Sequence, residues 1–332
     1  ETIGYALRYM TIYVCGTIFV QLALGLNSFI STQGFATTSM ITVVIGAVIN
    51  IVLDPLFIYV FNMGVAGAAL ATVLSQAVSA LWVLYFLCSK KSKIRIRKKY
   101  FRLRRTVIVP VMALGVSPFI MQSTESLVNI VLNSSLQRFG GDLAVGAMTI
   151  LSSVMQFCMM PLQGLTQGAQ PIIGFNYGAH RNDRVKQAFR YLIIAAVSYS
   201  TVIWCISIFI PQAFVALFTS KAALFEKAVW ALRIYMAGSI VFGVQIACQQ
   251  TFVALGQAKV SLVLALLRKV VLLIPLIYIL PHFFADQVFA VFLAEPVADV
   301  LASLTTGTVF LILTPKILRR GPEGTSKKEK TA

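Results

Sequence analysis

Charged and histidine side chains are scarce in this chain of 332 residues. Charged residues make up 12% of it, about half the share found in soluble domains, and only two residues are histidine. His180 lies in a basic loop and His282 beside a different turn, and the sequence shows no motif for nucleophilic catalysis or phosphate binding. The five cysteines are scattered without metal-type spacing. These scarcities argue against an enzyme and against a resident cofactor.

Apolar side chains fill the chain instead, at 58% of its residues. Runs of roughly twenty apolar residues, the length that a helix needs to cross a bilayer, recur from one end to the other. This pattern predicts an all-α polytopic membrane protein with about nine transmembrane helices. The predicted spans are 9–31, 36–61, 65–88, 107–136, 143–172, 187–211, 228–253, 260–282 and 287–314.

Basic residues give a formal net charge of +17 and lie between the apolar spans. They cluster in Lys90–Arg105 ("KKSKIRIRKKYFRLRR"), around Arg181 and in the C-terminal tail. Loops rich in Lys and Arg face the cytoplasm, so this placement predicts a membrane topology and no nucleic-acid partner. The loops near Gly34, His180 and Gln257 are expected inside, together with the C-terminus.

Two short motifs recur in the same order at an offset of roughly 222–226 residues. "YALRYM" from Tyr5 matches "WALRIYM" from Trp230, and "FISTQG" from Phe29 matches "TFVALGQ" from Thr251. Both copies are expected to cross the membrane in the same direction, which indicates a parallel repeat about an axis along the membrane normal. The second body then holds six spans and the first only three, so three helices are expected to be missing before Glu1.

The repeat and the basic segment divide the chain into four predicted parts. We expect the remainder of a first lobe over 1–88 and a basic cytoplasmic linker over 89–106. A second lobe is expected over 107–314 and a cytoplasmic tail over 315–332.

Several longer stretches carry a family resemblance. They are "STQG", "NIVLD" and "GVAGAALATVLSQ", followed by "PLQGLTQGAQPIIGFNYGAHRNDRVKQA" and "AEPVADVL". Together they resemble the multidrug and toxic compound extrusion (MATE) family of efflux transporters, bacterial type, over essentially the whole chain from the family's fourth helix. The resemblance implies two six-helix lobes that face a central cleft in the bacterial cytoplasmic membrane. It also implies export of cationic amphipathic drugs by alternating access, in exchange for protons or sodium.

One acidic residue, Asp54, stands inside the apolar run "INIVLDPLFIYVF". A carboxylate within a membrane is costly and usually functional. Asn50 lies one helical turn before it, so both side chains are expected on one face of the helix. The resemblance implies that these two residues join Tyr9, Asn27 and Thr72 in a cation-coupling site. Asp54 and Asn50 are the expected metal ligands only if sodium is the coupling ion.

Each of these five residues also has a structural interpretation. Asp54 fits an internally bonded acid and Asn50 a helix-packing amide. Tyr9 fits an aromatic residue at the membrane interface. Asn27 fits a cap at a helix end, and Thr72 lies on a face of small residues suited to close helix contact.

The second lobe offers candidate substrate-binding residues. Glu125 is an acid within a predicted span, and the resemblance implies a role for it in substrate or cation binding; a carboxyl bonded to neighbouring Ser or Asn is the alternative. Gln156 and Met160 are expected to line a substrate cleft, because glutamine bonds varied groups and methionine is pliable. Helix packing is the alternative for both. Where some relatives complete a second cation site with Asp, this chain has Gln245.

Four further charged residues lie within the last two predicted spans. Glu295 and Asp299, four residues apart, are expected to form an inward polar patch. Arg268 and Lys269 lie deep in the preceding span, where they either snorkel to the interface or pair with acids.

Two alternatives to a drug exporter stay open. One is a lipid-linked oligosaccharide flippase, which belongs to the same superfamily and shares this architecture, and the other is a fragment without transport activity. Flippases usually show a more basic cleft, so Asp54 and Glu125 favour a cationic cargo. The expected partners are cationic small molecules and the lipid bilayer, with the protein itself a monomer.

Overall fold

The computed structural model of the protein describes residues 2–97 and 104–329. Over these ranges the regular structure is entirely helical, which confirms the predicted all-α fold. The chain forms two compact units, Glu1–Arg104 and Arg105–Ala332. The boundary between them lies within the basic segment 89–106.

The first unit contains three long helices: α1 (Thr2–Thr32), α2 (Ala36–Pro55) and α3 (Gly64–Cys88). Small residues let these helices approach one another closely. A Cβ atom added to Gly16 would lie 2.3 Å from a methyl carbon of Val73, and one added to Gly46 would lie 2.5 Å from Ser79 Oγ. Both glycines are therefore packing positions at helix crossings.

The end of α1 is tied to the basic segment by one side chain. Gln33 Oε1 accepts hydrogen bonds from Ser92 Oγ at 3.0 Å and from the backbone N–H groups of Lys93 at 2.7 Å and Ile94 at 3.0 Å. Gln33 Nε2 donates to the backbone oxygen of Phe29 at 3.0 Å. Both ends of the amide are therefore engaged.

The second unit contains the remaining helices. They are α4 (Arg105–Gly178), α5 (Asn182–Phe209), α6 (Pro211–Val215), α7 (Ala222–Tyr235), α8 (Phe242–Ala254), α9 (Ala258–Leu266), α10 (Ile274–Ile279) and α11 (Gln287–Glu329). A 3₁₀ segment, Met236–Val241, joins α7 to α8. The main core lies where α4, α7 and α11 meet, and it includes the fully buried side chains of Leu151, Leu232 and Phe292.

Helix α4 is broken at Gly141, whose φ of 61° and ψ of −161° suit glycine almost alone. Gln137 Nε2 donates to Asp142 Oδ1 at 2.9 Å across the break. The sequence predicts two spans, 107–136 and 143–172, with a polar connection between them. The connection is shorter than predicted, because helical geometry continues on both sides of Gly141.

Eight helical stretches in the described part of the chain are long and apolar enough to cross a membrane. One of them, Phe119–Gly178, contains the break at Gly141, so nine crossing segments result, as predicted. Many large apolar side chains point outward, among them Ile51 at 70% and Tyr85 at 73% exposure. Such surfaces are expected to contact lipid, as in a multi-pass membrane protein.

Two helices widen to π geometry, each beside a proline. Leu56–Val60 follows Pro55 at the end of α2, and Leu267–Leu273 joins α9 to α10 shortly before Pro275. Proline has no N–H to donate and its ring crowds the preceding turn, which disturbs the regular helical hydrogen bonding near both segments. Turns of this kind occur frequently at functional sites.

Helix α11 extends past the predicted end of the last span at residue 314. It breaks at Gly321, where φ is 68°, and continues to Glu329. Asn182 Nδ2 donates to the backbone oxygen of Leu318 at 2.9 Å and so fixes this extension to the start of α5. The predicted tail 315–332 therefore begins as a continuation of the membrane helix.

Helices α5 and α8 are in backbone contact at Gly243. A Cβ atom added there would lie 2.5 Å from the backbone oxygen of Ala196 and 2.8 Å from Val197 Cα. We expect Gly243→Ala to lower the stability by about 1–3 kcal/mol, because backbone atoms cannot move aside as side chains do. The melting temperature of the purified protein measures this effect. Gly168→Ala is the control, since an added Cβ there meets no atom within 4 Å; equal melting temperatures for the two variants would contradict the prediction.

Candidate functional site

Asn50 and Asp54 form a hydrogen-bonded pair on α2. Asn50 Nδ2 donates to Asp54 Oδ1 at 3.2 Å, and both residues are half-buried. The pair lies directly before Pro55 and the π turn. The contact predicted from their spacing is therefore present, and it places an ionisable carboxyl and an amide together within an apolar helix.

Asn27 carries an unsatisfied polar atom in the same unit. Its Nδ2 donates to the backbone oxygen of Ser39 at 3.2 Å. Asn27 Oδ1 is buried and has no hydrogen-bond partner among the described residues. An unpaired buried amide oxygen costs free energy, and it is a group that a cation could satisfy.

Thr72 and Tyr9 contact other groups. Thr72 Oγ1 donates to the backbone oxygen of Ala68 at 2.9 Å, and the Tyr9 ring stacks on Tyr13 with centroids 6.0 Å apart. The structure therefore joins Asn50 to Asp54 directly. The wider five-residue coupling site stays a prediction.

In the second unit, Glu125 of α4 forms an ion pair with Lys269 of the π segment Leu267–Leu273. The Glu125 side chain is 52% exposed and that of Lys269 is 18% exposed. The carboxylate thus lies at the edge of this unit with a lysine partner, and not with the neighbouring Ser or Asn of the alternative interpretation.

Arg268 lies between two acids that stand one turn apart on α11. Its Nε donates to Asp299 Oδ1 at 2.6 Å, and its Nη2 donates to Glu295 Oε1 at 3.1 Å. Both acids are buried, which confirms the predicted inward polar patch. Pairing with acids is likewise confirmed for Arg268 and Lys269.

Residues 118–279 match the MatE family model. The resemblance to the MATE family is therefore confirmed over this range. The multidrug export protein MepA of Staphylococcus saprophyticus is 26% identical over 306 residues, which cover 92% of this chain and 67% of that protein. MepA of Staphylococcus aureus strain N315 is 26% identical over 307 residues, with the same shares covered.

Solved MATE structures share the fold of this chain. A MATE protein crystallised in complex with MaL6 gives a TM-score of 0.88 at 23% identity, over 96% of this chain and 72% of that one. An outward-facing multidrug resistance MATE transporter of the MOP superfamily gives a TM-score of 0.88 at 23% identity, over 94% of this chain and 70% of that one. The protein is therefore a multi-pass membrane protein with the MATE transporter fold.

A cavity of about 110 Å³ lies beside Arg268 and Lys269 in the second unit. Its other lining residues are Met121, Thr124, Gln245, Gln249, Ala265 and Leu266. Gln245 is buried, and its Oε1 accepts a hydrogen bond from Ser303 Oγ at 3.4 Å. Sequence reasoning missed Thr124 and Gln249. Gln249 lies one turn after Gln245, and this spacing, which places both amides on one face of the helix, could have indicated it.

Gln156 and Met160 stand one turn apart on the second half of α4. Both are exposed, Met160 at 57%, so their amide and thioether groups are accessible on one face of this helix. Their role in substrate binding stays a prediction. Within residues 2–97 and 104–329, no group of three or more His, Cys, Asp and Glu side chains is placed to hold a metal ion.

Proposed function

We propose that this MATE protein exports cationic amphipathic compounds across a bacterial cytoplasmic membrane in exchange for protons or sodium ions. The observation that carries the proposal is the Asn50–Asp54 pair within an apolar membrane helix. An ionisable residue in that position is costly, and such residues mark ion pathways and proton relays. The MepA relatives are named multidrug export proteins, which supports a drug-like cargo.

Three accessible side chains of the second unit support a cationic cargo. Glu125 presents a half-exposed carboxylate paired with Lys269, and a cationic cargo that displaced the lysine would gain this carboxylate as its partner. Gln156 and Met160 add exposed polar and pliable apolar surface, which suits cargo of varied shape. A positively charged compound with an apolar body fits this combination better than an anionic one.

The coupling ion acts at Asp54 in this proposal. A proton binds the carboxylate directly. A sodium ion needs several oxygen ligands, of which Asp54 and the unpaired Asn27 Oδ1 are available in the first unit. The contact observed at Asp54 is an N–H donated by Asn50, which stabilises the ionised carboxylate that either ion would bind. The basic segment and the C-terminus face the cytoplasm in this arrangement.

Ethidium accumulation tests the cargo class. Cells that lack other drug pumps and express the protein are expected to accumulate severalfold less ethidium than cells with an empty vector, because the cationic dye is exported. An anionic fluorophore is the control and should accumulate equally in both. Equal ethidium accumulation, with the protein present in the membrane, would overturn the proposal and favour a lipid-linked oligosaccharide flippase.

A further inference from the structure

Five charged residues of the second unit, here called the charge cluster, form two neighbouring ion-paired sets: Arg268 with Glu295 and Asp299, and Lys269 with Glu125. Arg268 and Lys269 are adjacent in the chain, and Lys269 also lies within electrostatic range of Glu295 and Asp299. The cluster contains three acids and two bases. If every member were ionised, the cluster would hold one uncompensated negative charge. Such a charge within a protein interior is strongly unfavourable, so something must neutralise it.

The excess charge lies on the buried side of the cluster. Asp299 is 0% exposed and Glu295 is 6% exposed, whereas the Glu125–Lys269 pair reaches the surface of the unit. Arg268 engages one oxygen of each buried acid. The second oxygens, Glu295 Oε2 and Asp299 Oδ2, are buried and have no hydrogen-bond partner among the described residues. An ionised carboxylate with such an oxygen bears the full desolvation penalty.

The groups around the two acids include no further cation. Arg268 and Lys269 face them from the π segment, and Tyr235 faces them from the end of α7. Tyr235 contributes a neutral phenol. The centroid of the Phe242 ring lies 5.3 Å from the guanidinium carbon of Arg268. The two bases of the cluster are therefore the available positive charges within the described residues.

The chemistry of the site selects a proton over a metal ion. The Arg268 guanidinium already occupies the space between the two carboxylates, at 2.6 and 3.1 Å, and would repel a metal ion there. A metal would also need more oxygen ligands than two carboxylates engaged with arginine supply. A proton needs only one free carboxylate oxygen, and two are present.

We propose that the charge cluster binds one proton, held by the Glu295–Asp299 pair beside Arg268. The proton bonds to one of the two unpartnered oxygens and makes the cluster neutral. The cavity beside Arg268 and Lys269 is lined also by Thr124, Gln245 and Gln249, so polar groups approach the cluster from that side. This site is separate from Asp54, and it does not depend on the cargo that the protein carries.

If the cluster is neutral overall, a change of charge at its exposed end, Glu125 or Lys269, alters the protonation of Glu295 and Asp299 at its buried end. Infrared spectroscopy detects the C=O stretch of a protonated carboxyl group. We would record it at neutral pH on the protein in lipid nanodiscs, with all variants in an Asp54→Asn background so that this acid contributes nothing. The parent should show the band, at the high frequency typical of a carboxyl without hydrogen bonds.

Two substitutions should change the intensity of the band in opposite directions. Glu125→Gln balances two acids against two bases and should abolish it, whereas Lys269→Gln leaves a deficit of two charges and should raise it about twofold. Glu226→Gln removes an exposed acid outside the cluster and should leave it unchanged. Asp299→Asn mimics the protonated state, so it should fold and lack the band.

Several results would overturn the proposal. One is the absence of the band in the parent, and another is a band that Glu125→Gln leaves intact. A band at the frequency of a solvated carboxyl would place the proton on Glu125 and refute its assignment to Glu295 and Asp299. Glu125 is half-exposed, so its substitution is not expected to prevent folding, and the test stands even if Asp299→Asn fails to fold.

Discussion

Asp54→Asn is expected to abolish gradient-driven efflux, to the background of vesicles without protein. Asparagine keeps the size of the side chain and can still bond Asn50, but it carries no titratable charge. If Asp54 takes up and releases the coupling ion, removing its charge stops the cycle while the helix stays intact. The measurement is dye efflux from vesicles after a proton gradient or a sodium gradient is imposed, with wild type and variant compared.

Asp183→Asn is the matched control for that experiment. Asp183 is an exposed acid at the start of α5, so the same chemical change there should leave efflux unaltered. The wild-type protein also identifies the coupling ion, because only the gradient of that ion should drive efflux. If Asp54→Asn pumps as well as wild type under both gradients, Asp54 is a structural residue and the proposed coupling site is wrong.

Arg268→Met is expected to cause the largest loss of stability. It leaves Glu295 and Asp299 buried one turn apart with no adjacent guanidinium, and removing one partner of a buried ion pair typically costs about 3–5 kcal/mol. The melting temperature should fall markedly, most of all at high pH. As the pH falls both carboxyls can take up protons, so the deficit relative to wild type should shrink.

Two comparisons make this result specific. Arg233→Met changes an exposed arginine of α7 and should have little effect. The triple variant Arg268→Met, Glu295→Gln and Asp299→Asn should recover much of the stability, because replacing a whole buried ionic group with neutral residues is often tolerated. A single Arg268→Met variant as stable as wild type would show that the arginine does not compensate the two acids.

Local spacing made part of the candidate site predictable. The contact between Asn50 and Asp54 follows from their separation by four residues on one helix, and the inward patch of Glu295 and Asp299 follows from the same rule. Apolar run lengths likewise predicted the crossing segments. These features depend on neighbours in sequence, and a sequence displays them directly.

Contacts between residues that are far apart in the sequence could not be predicted in this way. Glu125 and Lys269 lie on different helices, and no periodicity indicates which lysine meets which acid. Thr72 bonds Ala68 and Tyr9 stacks on Tyr13, each four residues away on its own helix, so these local contacts leave the wider coupling site a prediction. The break of α4 at Gly141 was placed nearly correctly, but its shortness depends on one residue's backbone angles.

The Gln33 amide has a mechanical consequence. Its oxygen accepts hydrogen bonds from Ser92, Lys93 and Ile94, and its nitrogen donates to the backbone oxygen of Phe29 one turn earlier. Glutamate would lack the donor and lysine the acceptor, so the position requires an amide of this length. The basic segment is also held to α3, because the backbone N–H of Ile96 donates to the Leu87 oxygen at 3.2 Å. We therefore expect a rotation or tilt of α1 to pull on the start of the basic segment and, through it, on the end of α3.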